Sequence, residues 1–149
     1  MIVHEHTVEA EVDPAVVWER WTQVEHWPVD DPDVQRAKLN GPVAQGAIGW
    51  VRPTNGPRIP FRIAQVDRVR GRFVVEAKLI LCALRLEHEM DRVDADADGQ
   101  VDVHDGHRRI THRVVLEGPL ARLYDRLTGA RQGRGLPTVM GNIIAIARV

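Results

Sequence analysis

Hydrophobic and polar residues alternate along several stretches of the chain, as they do in β-strands with one buried face. Between Val3 and Val12 the even positions are histidine, valine or alanine, whereas the odd positions are mostly threonine or glutamate. The same alternation returns at Phe73–Leu79, Leu84–Met90 and Ile110–Leu116. Asn55-Gly56 predicts a hairpin, because both central residues of that turn take positive φ. We therefore expect about six antiparallel strands after the first one.

Helical spacing replaces the alternation in two regions. After the first strand, Asp13 and Pro14 are the residue types preferred at a helix N-cap and at the first helical position. Val17, Trp18 and Trp21 form the apolar stripe of this short helix, and one more turn follows it. A long C-terminal helix is predicted by apolar residues at Leu120, Leu123, Leu127, Leu136, Met140, Ile143, Ile144 and Ala147.

The order of these elements predicts the fold class. A sheet with one apolar face and a single long helix must bury that face against the helix. We expect an α+β helix-grip fold, in which an antiparallel sheet of six to seven strands wraps around the C-terminal helix. Two short helices follow strand 1, and residues 1–149 form a single domain. A turn is required near residues 80–83, but no Gly, Pro or Asn marks it.

Composition narrows the functional classes. The chain has 149 residues and a net charge of −1, which argues against a nucleic-acid partner. No apolar run approaches the roughly 20 residues of a membrane span, and the one cysteine excludes an internal disulfide. We expect a cytoplasmic monomer or homodimer without a cofactor.

Several short motifs resemble the START/Bet v 1-like (SRPBCC) superfamily, particularly its bacterial polyketide cyclase/dehydrase-like branch. They are Val16-Val17-Trp18 after Asp13-Pro14, Trp27-Pro28, Arg109-Ile110-Thr111-His112-Arg113, Glu117-Gly118-Pro119-Leu120-Ala121 and Leu136-Pro137. The resemblance implies a cavity between sheet and helix that binds a lipid, quinone or aromatic polyketide. It carries over no catalytic residue, because the superfamily has no universal catalytic motif.

The residue pattern also allows such a cavity. Apolar strand faces and a helix interrupted by glycines would leave an apolar gap, although a solid core remains the alternative. Trp27 is placed at the cavity mouth, since it lies in a short turn. The expected ligand-binding residues are Trp27, Phe61, Ile63, Phe73, Val75, Leu79, Leu86, His88, Met90, Ile110, His112, Leu127, Met140 and Ile144.

His88 and His112 are the most informative polar residues, because both fall on the apolar phase of their strands. Pairing Leu86 with Val114 keeps the apolar residues on one face and sets the two histidines opposite each other. They could hydrogen-bond a carbonyl or phenol of a ligand, or act as general acid and base. The alternative is a pair of structural histidines in the core.

Metal sites are weakly indicated. His4 and His6 share the inward phase of strand 1, so a histidine zinc site with His112 is conceivable. Asp94, Asp96 and Asp98 are spaced like the start of a calcium loop, but such residues also suit any hairpin tip.

Three functions remain open from the sequence. The first is binding of a small hydrophobic ligand in the interior. The second is a polyketide cyclase or dehydratase that uses a cavity histidine as proton carrier. The third is an interaction domain whose packed interior binds nothing.

Overall fold

The computed structural model describes residues 1–93 and 106–149. Within these residues the strands are β1 (Ile2–Glu11), β2 (Val34–Asn40), β3 (Ile48–Pro53), β4 (Ile59–Asp67), β5 (Arg72–Leu79), β6 (Cys82–Arg92) and β7 (His107–Glu117). The helices are α1 (Pro14–Thr22), α2 (Trp27–Asp30), α3 (Ala121–Tyr124) and α4 (Ala130–Ala147), with a 3₁₀ turn at Val24–His26 and a π-helical turn at Asp125–Gly129. No helix in these ranges is long and apolar enough to cross a membrane.

The described strands form one antiparallel sheet in the order β1-β7-β6-β5-β4-β3-β2. Its inner face is covered by α1 and α4, and its outer face carries most of the charged side chains. The predicted helix-grip architecture is therefore confirmed, with two short helices between the first and second strands.

The turn that the sequence left unmarked is the two-residue connection Ile80-Leu81. Leu79 pairs with Cys82, so the β5–β6 hairpin closes directly across these two positions. Leu81 takes a φ of 55°, a conformation usually left to glycine or asparagine. Ile80 and Leu81 are both exposed, so the apolar character of these side chains does not reflect burial.

The C-terminal helix differs from the prediction at Leu127. We expected this residue to line the interior, but its side chain is 66% exposed. It lies in the π-helical turn, which contains more residues per turn than an α-helix and therefore changes the direction of the following side chains. The i, i+4 spacing from Leu123 consequently does not give a buried stripe, and Leu123 is also exposed.

The inner face of the sheet is packed in two clusters. The larger core contains Phe61, Ile63, Phe73, Val75 and Ile110 of the sheet, Val17, Trp18 and Trp21 of α1, and Met140, Ile143 and Ile144 of α4. The smaller core contains Ala77, Leu84, Val114, Leu116 and Leu136. Leu86 packs against both clusters.

Candidate functional site

Most of the predicted ligand-binding residues lie on the inner face of the sheet or on the helices that cover it. Leu79 belongs with the smaller core, at the far end of β5. Trp27 is half-buried, and its ring lies 5.3 Å from that of Phe61. The larger core contains Phe61, Ile63, Phe73, Val75, Ile110, Met140 and Ile144, with Trp27, Leu86 and Met90 packed against it.

The two inward histidines are paired as the register predicts. His88 on β6 is directly opposite His112 on β7, and Leu86 is opposite Val114. The ring centroids of the two histidines are 4.6 Å apart in an edge-to-face arrangement. The hairpin therefore brings two imidazoles together inside the sheet.

Trp21 occupies much of the space in front of this pair. Its ring centroid lies 5.4 Å from that of His88 and 5.6 Å from that of His112, and the side chain is only 1% exposed. Its indole Nε1–H donates a hydrogen bond to His112 Nε2 at 3.0 Å. A ligand carbonyl or phenol at this nitrogen would have to displace the tryptophan.

The hydrogen bonds fix the tautomers of both histidines. His88 Nδ1 lies 2.9 Å from the Phe73 carbonyl oxygen, which can only accept, so Nδ1 carries the proton. His88 Nε2 is then an unprotonated acceptor, and it has no hydrogen-bond partner among the described residues. His112 accepts at Nε2, so its own proton is on Nδ1.

Loss of hydration inside the sheet keeps both imidazoles neutral, although His88 retains some accessible surface. Desolvation lowers the pKa of His88 to about 4, although the Phe73 carbonyl opposes the shift. Burial also holds the pKa of His112 well below its ordinary value, and the nearby His88 and His6 lower it further. A general base is most effective when its pKa is near the working pH. These histidines are therefore better suited to accept hydrogen bonds than to carry protons at neutral pH.

The inner face of β6 stays partly accessible although β6 is a central strand. Leu86, His88 and Met90 are only half-buried. Their neighbours on both sides are nearly inaccessible: Phe73 is 0% and Val75 4% exposed on β5, and His112 is 4%, Val114 1% and Ile110 1% exposed on β7. We call Leu86, His88 and Met90 the accessible strip; Leu86 packs against both clusters and Met90 against the larger one.

A second unusual polar group lies on the C-terminal helix. Gln132 lies one helical turn from Leu136 and from Gly129, both of which are buried on the sheet side of the C-terminal helix. Its Oε1 atom is buried and has no hydrogen-bond partner among the residues described. An unmet buried acceptor is costly. Gln132 was not predicted from the sequence, although a polar residue in an apolar helical stripe was the available signal.

The possible metal ligands do not assemble in the described part of the chain. His6 is opposite His112, but His4 Nε2 is hydrogen-bonded to Asp125 Oδ1 at 2.7 Å. No group of three His, Cys, Asp or Glu side chains within residues 1–93 and 106–149 is placed to hold an ion. Asp94, Asp96 and Asp98 lie outside the described residues.

The outer face has a cleft of a different character. It has a volume of about 590 Å³, and part of His88 borders it. The other lining residues are Gln65, Arg70, Arg72, Val74, Glu87, Glu89 and Asp91. Several of these charges are paired, for example Arg72 Nη2 with Asp91 Oδ1 at 2.9 Å. This polar cleft does not match the apolar cavity expected from the sequence.

Comparisons with solved structures identify the fold. No family model matches the chain, and no curated protein matches it. A hypothetical protein, jhp0584 from Helicobacter pylori, has a TM-score of 0.76 at 10% identity, with 99% of this chain and 88% of that one covered. Norcoclaurine synthase from Thalictrum flavum has a TM-score of 0.66 at 13% identity, with 96% and 83% covered.

A third similar structure is the di-domain ARO/CYC BexL of the BE-7585A biosynthetic pathway. Its TM-score is 0.69 at 13% identity, with 96% of this chain and 46% of that chain covered. The chain therefore has the Bet v 1-like helix-grip fold, and its resemblance to the START/Bet v 1-like superfamily is confirmed at the level of the fold.

Proposed function

We propose that this protein binds a small hydrophobic molecule with a hydroxyl group between the inner face of β6 and the C-terminal helix. The observation that carries the proposal is the accessible strip formed by Leu86, His88 and Met90. A strand with hydrogen-bonded neighbours on both sides and helices over its face is normally buried. Space next to this strip would hold an apolar ligand that removes its surface from water.

Two polar groups of the interior favour a ligand that donates hydrogen bonds. His88 Nε2 has no proton, and Gln132 Oε1 is a buried acceptor without a partner. Both accept, so a phenol or alcohol fits them better than a carbonyl does. Of the ligand chemistries suggested by the sequence, the aromatic polyketide is therefore favoured over a quinone. The similar norcoclaurine synthase was solved in complex with dopamine and hydroxybenzaldehyde, which are both phenols.

Calorimetric titration with naphthol and with naphthalene tests the proposal. Naphthol should bind more tightly, by about fivefold for one hydrogen bond of about 1 kcal/mol. If Gln132 Oε1 rather than His88 Nε2 accepts from the hydroxyl, the Gln132→Leu variant should lose that preference and still bind naphthalene. Its stability should rise by about 1 kcal/mol or more, since a buried unpaired acceptor is removed.

A variant that fills the space provides the second arm. Leu86→Trp adds an indole at the boundary of the two clusters and should abolish binding of both probes. Ile80→Trp is the matched control, because the same side chain is placed in a turn where Ile80 is 76% exposed. A milder replacement, Leu86→Phe, is used if Leu86→Trp does not fold. Absence of binding to the unaltered protein would favour the packed interaction domain instead.

A polyketide cyclase or dehydratase is the second candidate, because the aromatase/cyclase BexL shares the fold. The low pKa of His88, about 4, makes it a weak base at neutral pH. Conversion of a poly-β-keto substrate to a cyclised product would support the enzyme. Loss of that conversion in His88→Gln would assign the proton transfer to this residue.

A further inference from the structure

Charge is distributed unevenly over the outer face of the sheet. At the β1-β7-β6-β5 end the arginines are paired with carboxylates. Arg113 Nη1 lies 2.6 Å from Glu89 Oε1, and Arg109 Nη2 lies 2.9 Å from Glu9 Oε1. This end is close to internally neutralised.

The opposite end, formed by β4, β3 and β2, has cations without such partners. The register places Arg36 opposite Arg52 and Lys38 opposite Trp50 on the same face. Ile48 is opposite Arg62 on the neighbouring strand. We call the outer surface formed by Arg36, Lys38, Trp50, Arg52, Arg58 and Arg62 the basic face.

Among the described residues, acidic side chains neutralise little of the positive charge on the basic face. Arg62 Nη2 lies 3.9 Å from Glu76 Oε1, a distance too long for a hydrogen bond. Arg36, Lys38, Arg52 and Arg58 have no acidic partner among the residues that the structure describes. Like charges directly opposite each other destabilise a sheet. The Arg36–Arg52 pair therefore has a cost that an anionic partner would relieve.

The centre of the basic face is apolar. Arg58 Cζ lies 3.8 Å from the centroid of the Trp50 ring, and Arg36 Cζ lies 5.9 Å from it. Ile48, next to Trp50 on the same face, is 57% exposed. The surface thus combines an exposed aliphatic side chain and an indole with a surrounding set of cations.

We infer that the basic face binds the surface of an anionic lipid membrane. A bilayer interface offers phosphate and carboxylate anions to the arginines, and an apolar layer to the exposed Ile48. A polynucleotide would neutralise the cations but offers little to Ile48. Arg58 also covers the Trp50 ring on which a base would stack. This inference does not depend on the proposed interior ligand.

Vesicle co-sedimentation tests the inference. The protein should bind vesicles of phosphatidylcholine with phosphatidylserine, bind pure phosphatidylcholine vesicles far less, and be released by high salt. Each basic residue near an anionic surface contributes about fivefold in partitioning, so Arg36→Gln with Arg52→Gln should weaken binding roughly 25-fold. Ile48→Ser should weaken binding without changing its salt dependence.

The control changes the same net charge elsewhere. Arg68→Gln with Arg109→Gln removes two positive charges outside the basic face and should leave vesicle binding within about threefold. Thermal melting checks that all variants fold. Equal losses in the two double variants would overturn the inference. So would binding to a thymidine oligonucleotide without binding to vesicles, or binding to neither probe.

Discussion

The neutral histidine pair predicts a specific loss of stability in acid. Protonated His88 is disfavoured in the folded protein, where its pKa is about 4, but not in the unfolded chain, where the ordinary value is about 6.5. Between these pH values the unfolded state binds more protons, so the free energy of unfolding falls as the pH falls. The stabilisation is complete above about pH 6.5 and has been lost by about pH 4.

The magnitude follows from the size of the shift. One pKa unit corresponds to about 1.4 kcal/mol, so His88 alone should cost about 2 kcal/mol at pH 5 and about 3 kcal/mol at pH 4. His112, whose pKa is also lowered by burial, adds to this loss. Exposed carboxylates titrate in the same range, so the wild-type curve alone does not isolate the histidines.

The assay is urea unfolding, followed by tryptophan fluorescence and circular dichroism at a series of pH values. His88→Phe keeps a ring of similar size but cannot be protonated, so its free energy of unfolding should fall less steeply by the amounts given above. The difference between the two curves removes the contribution of the carboxylates. Parallel curves between pH 7 and pH 4 would refute the assignment of His88 as a neutral, desolvated imidazole.

Three further changes test how the helices are held on the sheet. Arg20 Nη2 lies 2.7 Å from Asp30 Oδ1, and both side chains are largely buried. Asp30→Asn should therefore destabilise the protein by about 3–5 kcal/mol in urea unfolding, because it leaves a buried arginine without its charge partner. A loss below about 1 kcal/mol would contradict this. Gly133→Ala should lower the melting temperature, since its Cβ would lie 2.5 Å from His4 Cγ, whereas Gly135→Ala, which meets no atom within 4 Å, should raise it. The reverse order would argue against close packing of α4 on β1.

Alternation along the strands was sufficient to predict the sheet and its central register. A one-residue shift would have moved every apolar side chain of β6 to the charged face, and the register that pairs Leu86 with Val114 sets His88 opposite His112. The turn at Ile80-Leu81 could be placed only within residues 80–83, because a leucine at positive φ has no sequence signature. The π-helical turn likewise put Leu127 outside, where helical periodicity had predicted an inward position.

The candidate site was predicted less completely than the sheet. The sequence placed Trp21 in the apolar stripe of its helix, and the side chain is indeed buried. That its indole N–H reaches His112 depends on where α1 crosses the sheet, which no local pattern determines. No local pattern shows that Gln132 Oε1 lacks a hydrogen-bond partner either, because partners from distant elements are set by the packed structure.

Methyl-resolved NMR with naphthol as the probe tests the central claim most directly. If the space beside β6 holds a hydroxylated apolar molecule, saturable shifts should appear at the methyl groups of Leu86 and Met90. The exposed methyl groups of Leu127 should not move. Unchanged Leu86 and Met90 signals at saturating naphthol, or shifts confined to exposed methyl groups, would contradict the account.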